Sequence, residues 1–183
     1  MAAEIAFALD HSAFADTVIA GMERGEIPIR ITHNDTKINN ILFDRQSGKA
    51  VCVIDLDTVM PGSMLFDFRD ALRMGCSTAL EDETDLSLVS FDIEAFRAFA
   101  RGYLSEMKDE LTHKELELLP FFVKLLTYEC GVRFLTDYLN GDTYFKTRRL
   151  EQNLDRTRNQ FKLVEDIAAK EAELTNIVKG LCD

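Results

Sequence analysis

Apolar residues at helical spacing open the chain: Phe7, Phe14, Val18 and Met22 predict a helix over 3–24, and Gly25 stops it. Residues 27–31 (IPIRI) then alternate as a strand does, and 32–40 are too polar to continue it. Residues 41–43 (ILF) read as a short strand, 44–49 (DRQSGK) as a turn, and 50–55 (AVCVID) as a buried β run. The first third is therefore a β-hairpin whose two ends carry acidic residues. From residue 66 the period becomes helical. Residues 66–74 form a short amphipathic helix, 77–90 a solvated polar loop carrying Glu81, Asp82, Glu83 and Asp85, and 93–107 a further helix. Thr112 and Glu115 have capping-box spacing. Pro120 is expected to open or kink a long helix over 121–139, which Asn140–Gly141 ends. Residues 143–179 read as one or two charged helices, with Arg148, Arg149, Arg156 and Arg158 on a wet face. No repeat, linker or second domain interrupts residues 1–183. The pattern predicts an α+β, mostly helical fold in which a small β-hairpin leads into a helical mass.

Composition narrows the partners. The 183 residues suffice for one sizeable core, and the formal net charge of −11 argues against nucleic acid or an anionic membrane as a partner. A phosphorylated substrate would then need locally created positive charge, most simply a bound metal. No apolar run approaches the length of a membrane span, and residues 1–12 lack a leader's basic and apolar regions. Cys52, Cys76, Cys130 and Cys182 form no CxxC, as expected of reduced thiols in a cytoplasmic protein. Only three histidines are present, which excludes a His-rich metal site.

The chemistry concentrates in HNDTKINN. His33, Asp35 and Asn40 follow H-x-D-x-x-x-x-N, the catalytic-loop spacing of protein kinases. Phosphoryl transfer to a hydroxyl needs a carboxylate to orient the nucleophile and take its proton. It also needs a metal to offset the charge of the transferred group. An amide oxygen a few residues on can reach that metal without adding negative charge. Asp55, ending the next strand, offers a second metal ligand on a rigid strand end. The competing reading makes Asp35 and Asn40 turn formers and Asp55 a loop cap.

THNDTKINNILFD and VCVIDLDTVMPGSMLFDFRDALR together resemble the aminoglycoside phosphotransferase-like kinases, protein-kinase-like enzymes that phosphorylate small-molecule hydroxyls. Within them the chain is most similar to the N-acetylhexosamine 1-kinases, a likeness that RMGCSTALEDETDLSLVSFD and CGVRFLTDYLNGDTYF extend over residues 27–165. The resemblance implies Asp35 as catalytic base, Asn40 and Asp55 as holders of Mg²⁺, and ATP as phosphoryl donor. It implies the anomeric hydroxyl of N-acetylglucosamine or N-acetylgalactosamine as acceptor, in amino-sugar salvage. Lys37 would meet the γ-phosphate, and His33 would hydrogen-bond within the loop rather than shuttle a proton. Asn34, Asp57, Arg133 and Tyr144 are candidate sugar contacts. For Arg133 the alternative is an ion-pair stripe with Glu129 and Asp137; for Asp57, a turn-forming role; for Asn34, shaping the loop; for Lys37, a loop lysine in solvent. Asp67 is expected to cap its helix and brace the loop.

The resemblance also implies a second lobe that covers the nucleotide. Residues 1–183 contain no G-x-G and no P-loop, so they correspond to the C-terminal lobe of the kinase-like fold, with the N-terminal nucleotide lobe absent. Alone, such a lobe should lack most ATP affinity and self-associate through the surface left bare. Two rival readings stand: a kinase of another small alcohol such as choline, homoserine or an aminoglycoside, and a non-catalytic helical module derived from the lobe.

Overall fold

A computed structural model describes residues 1–182, except for the side chains of Phe14 and Asp70. The expected Phe14 position on the first helical stripe therefore lies outside the described residues.

The first helix is two, α1 (Ala2–Asp10) and α2 (Ala13–Glu23), rather than one over 3–24. The break has a tertiary cause. Tyr128 donates its hydroxyl to the Ala8 carbonyl at 2.6 Å, the acceptor that Ser12 N–H would need to continue the helix. Ser12 N–H turns instead to Leu9. Phe7 stacks on Phe161 at 4.5 Å, docking α1 on the helical body.

Four short strands follow, in two antiparallel pairs. β1 (Arg30–Thr32) pairs with β4 (Met60–Gly62), and β2 (Ile41–Phe43) with β3 (Ala50–Val53). β4 has no counterpart in the predicted elements: MPG carries no alternation, and Pro61 is tolerated because this two-stranded sheet is all edge. The expectation of a buried run at 50–55 is overturned. β3 is exposed along its length, Val51 at 64% and Val53 at 52%, because it has one paired neighbour and no layer of the described residues covers it.

Ser63 caps α3 (Met64–Gly75), its hydroxyl accepting from Leu65 N–H, so Asp67 lies a turn inside the helix and is not its cap. The 77–90 loop is less solvated than expected: Glu81 pairs with Arg73 at 2.7 Å, and Asp82 accepts from Gln152 at 2.8 Å. Asp92 caps α4 (Ile93–Met107). The predicted capping box is present on α5 (His113–Leu139). It sets the helix start, with the buried Glu115 also gripping Arg30 of β1 at 2.6 Å, so Pro120 falls inside the helix instead of opening it. After Asn140 the chain runs irregularly to α6 (Gln152–Cys182), because Asp137 takes the backbone N–H groups of residues 143–145. Of the arginines beyond, Arg148 and Arg149 are exposed as expected, but Arg158 pairs with Glu4 of α1 and Arg156 is largely buried against Phe134.

α5 and α6 pack along each other, with α3 on α5 and α4 on α6. Phe68, Phe91, Phe96, Phe122, Leu163 and Ile167 fill the interior. Gly131 lets α6 approach α5: a Cβ there would sit 2.6 Å from the Phe161 ring. No helix among the described residues is long and apolar enough to cross a membrane. The β pairs stand on one side of this helical body, and the segments joining them carry the candidate chemistry.

Candidate active site

Thr32 ends β1 and residues 33–37 leave it as a tightly tied loop. Asn34 adopts a left-handed backbone (φ 66°), which its short polar side chain favours through local hydrogen bonds. Its amide donates to the Thr32 and Thr58 carbonyls at 3.2 and 3.0 Å, and its oxygen accepts from the Thr32 hydroxyl at 2.8 Å. Both ends of the Asn34 side chain thus shape the loop. From α3, the Asp67 carboxylate accepts the backbone N–H groups of His33 and Asn34 at 2.9 and 2.7 Å, and the Asp67 carbonyl accepts the Thr36 hydroxyl. Asp67 therefore braces the loop as the sequence predicts, but as a clamp from inside the helix. Gly62 of β4 is required here, since a Cβ would fall 2.5 Å from the Thr32 hydroxyl and 2.9 Å from the Asn34 oxygen.

His33 ties the loop to the strand that follows. A carbonyl can only accept and an amide N–H can only donate, so the two partners assign the ring's tautomer. Nε2–H donates to the Ile54 carbonyl at 3.1 Å, and Nδ1 accepts from Asp35 N–H at 3.3 Å. The ring holds residue 35 in register with residue 54, next to Asp55, and both nitrogens are engaged with the backbone.

Asp35, Lys37, Asn40 and Asp55 then converge. The Lys37 ammonium lies 2.6 Å from one Asp35 oxygen and 3.8 Å from one Asp55 oxygen. The buried Asn40 donates its amide to the Asp35 carboxylate and carbonyl, both at 2.8 Å. Asp55 has a left-handed backbone (φ 64°) that turns the chain out of β3. Burial works to raise the Asp35 carboxyl. The hydrogen bonds from Lys37 and Asn40 and the Lys37 charge outweigh it and hold the group below the usual carboxylate range.

A cation already sits between two carboxylates, so the donor set suits a small hard cation. Asn40, tethered through its amide nitrogen, could offer its oxygen to such an ion, and Asp55 its charge. Among the described residues no cluster of three or more His, Cys, Asp or Glu could hold a metal. An ion here would take two protein ligands and complete its shell with water and phosphate oxygens, the habit of Mg²⁺.

Asp35 and Lys37 also line a cavity of about 370 Å³, with Asn34, Phe66, Arg69, Arg73, Met74, Leu126, Glu129, Cys130 and Arg133. Arg133, from α5, faces the same space as Asp35. The alternative ion-pair stripe does not form: Glu129 pairs with Arg69 at 2.9 Å, and Asp137 serves the 143–145 backbone. The Arg133 guanidinium lies over the rings of Tyr144 and Phe145, 5.9 and 5.5 Å from their centroids. Tyr144 is not in the main cavity; it lines a shallower depression further along α5, with Arg133 and Phe145. Asp57, exposed in the 3-10 turn Leu56–Thr58, also stands outside the cavity.

Sequence reasoning passed over Arg69 and Arg73. Their spacing of four along α3 places both on one helix face toward the cavity, a signal present in FRDALR but hidden among ordinary amphipathic positions.

A model of the phosphotransferase enzyme family (APH) matches residues 5–127, from α1 through the first half of α5. The match spans the whole 33–37 loop, Asn40, Asp55 and the Asp67 clamp. On that match, the chain belongs to the phosphotransferase enzyme family.

Proposed function

We propose that the chain is the C-terminal, acceptor-binding lobe of a cytoplasmic small-molecule kinase that moves the γ-phosphoryl group of ATP to the anomeric hydroxyl of an N-acetylhexosamine. The observation that carries this reading is the position of Asp35. Its carboxylate lines a cavity large enough for a monosaccharide, and its other neighbours are the paired groups Lys37, Asn40 and Asp55. Asp35 takes the proton of the acceptor hydroxyl as that oxygen bonds to the γ-phosphorus and the bond to the departing ADP oxygen breaks. Lys37, resting against Asp35, passes to the γ-phosphate oxygens as charge leaves the nucleotide. His33, through its two backbone bonds, keeps Asp35 and Asp55 at fixed separation. Asn40 and Asp55 are the residues that would hold Mg²⁺, whose charge would offset that of the phosphates. A second lobe, outside these residues, covers the nucleotide.

The lining favours a neutral acceptor over a cationic one. Lys37 is paired with Asp35, Arg69 with Glu129 and Arg73 with Glu81, so of the lining cations Arg133 alone has no carboxylate partner among the described residues. A cationic acceptor such as choline or an aminoglycoside would find both lining carboxylates already paired, whereas sugar hydroxyl and acetamido oxygens accept hydrogen bonds from guanidinium donors. The cavity is built entirely from this chain, so calorimetric titration of the chain alone tests the acceptor class. N-acetylglucosamine or N-acetylgalactosamine should bind, and choline and an aminoglycoside should not. Binding of either cation with no heat from the sugars would overturn the assignment.

A further inference from the structure

Arg133 meets the cavity without a carboxylate partner among the described residues, so something else must aim it. α5 carries Arg133 and, one turn on, Asp137, which is 5% exposed. The Asp137 carboxylate accepts the backbone N–H groups of Thr143, Tyr144 and Phe145 at 3.0, 2.8 and 2.9 Å, and the Asn153 amide at 2.9 Å. Asn153 also donates to Asp142 at 2.8 Å, and Asp142 N–H returns to the Asp137 carbonyl at 2.9 Å. A buried carboxylate satisfied this fully is a rigid anchor. Burial works to raise this acid, but the three N–H donors prevail and hold it below the usual carboxylate range. The anchored segment presents the two rings that lie against the Arg133 guanidinium, and Phe145 is seated in turn on Phe134, with ring centroids 4.6 Å apart. A chain of contacts thus runs from Asp137 through the 143–145 backbone and its rings to Arg133.

We infer that Asp137 is a positioning residue for the acceptor end of the cleft: by clamping residues 143–145 it fixes the aromatic seat that aims Arg133 at the acceptor beside Asp35. This rests on the proposed reading that Arg133 contacts the acceptor. Arg133, Asp137 and residues 143–145 all lie beyond the segment matched by the family model. The inference also explains why an arginine on a mostly apolar helix needs no acid partner: the rings attract the cation while leaving its N–H donors available.

The test combines calorimetry with N-acetylglucosamine as probe and amide hydrogen exchange on the whole chain. Arg133→Ala should weaken the sugar about tenfold, the loss of one hydrogen bond from a charged donor. Asp137→Asn should weaken it by a similar factor and speed exchange at residues 143–145, with α6 amides still protected. The double variant should bind no worse than either single one, because both remove the same contact. Should Asp137→Asn unfold the chain, the exposed Tyr144→Ala removes one ring of the seat without touching the clamp, and it should be equally non-additive with Arg133→Ala. Unchanged exchange at 143–145, or full additivity with Arg133→Ala, overturns the positioning role. If Arg133→Ala leaves sugar affinity intact, the acceptor reading of Arg133 fails instead, and exchange at 143–145 still decides whether Asp137 is the clamp.

Discussion

At the scale of single residues, the site depends on one carboxylate kept ionised in a half-buried position. Asp35→Asn keeps the shape and the Asn40 contact but cannot take a proton. Phosphoryl transfer by the enzyme complete with its nucleotide lobe should fall at least about a hundredfold, with unchanged circular dichroism. Near wild-type turnover would remove Asp35 from the chemistry. Lys37 governs the pH range. The Asp35 pKa lies below its ordinary value, so the base form persists through neutral pH and is lost only as pH falls below the usual carboxylate range. Lys37→Met removes both the shortest hydrogen bond to Asp35 and the nearby charge, and the burial that remains raises the group. The acid limb of the kcat/KM profile should therefore move to higher pH in Lys37→Met, a shift separable from any fall in maximal rate. An acid limb that stays in place would mean that Lys37 does not set the Asp35 proton affinity.

At the scale of elements, legibility followed the reach of the interaction that sets each one. The hairpin strand at 41–43, the helix over 93–107, the capping box at Thr112 and the stop at Asn140–Gly141 are all set by neighbours in sequence, and all stand where their residues place them. The departures come from distant partners. Tyr128 splits the first helix by taking Ala8. Asp137 keeps 143–145 out of helix, and MPG becomes a strand only because β1 lies beside it. The cluster of Asp35, Asn40 and Asp55 was legible because its spacing is that of a known chemistry. The arginines of α3 were not, because what they face is decided by how α3 crosses α5. Gly62 tests this loop-to-strand dependence. Gly62→Ala drives a methyl group into Thr32 and Asn34, and overpacking of this kind costs about 1–3 kcal/mol. Denaturant unfolding should register that loss, and transfer activity should fall with it because the displaced segment is the one that carries Asp35. Full activity and stability would show that the loop yields without consequence.

At the scale of the whole molecule, polarity is divided unevenly. The helical body buries its aromatic core, while the β side presents Ile31, Leu42, Val51, Val53, Leu56 and Met60 to solvent, each between 46% and 69% exposed. Both strand pairs also have open edges, which can pair with another chain. On the proposed reading, this is the surface that a nucleotide lobe would cover. With the chain alone, two copies should meet there, opposed by the mutual repulsion of two bodies that each carry a formal charge of −11. Salt screens that repulsion without weakening apolar burial, so association should strengthen as ionic strength rises, opposite to an interface held by ion pairs. Sedimentation velocity over a concentration series at low and high salt measures this directly. Val51→Glu with Val53→Glu, both already on the surface, should return the chain to monomer at little cost in stability. A monomer at high concentration and high salt would mean that the bare strands are tolerated by water, and the surface would then lose its standing as the proposed seat of a second lobe.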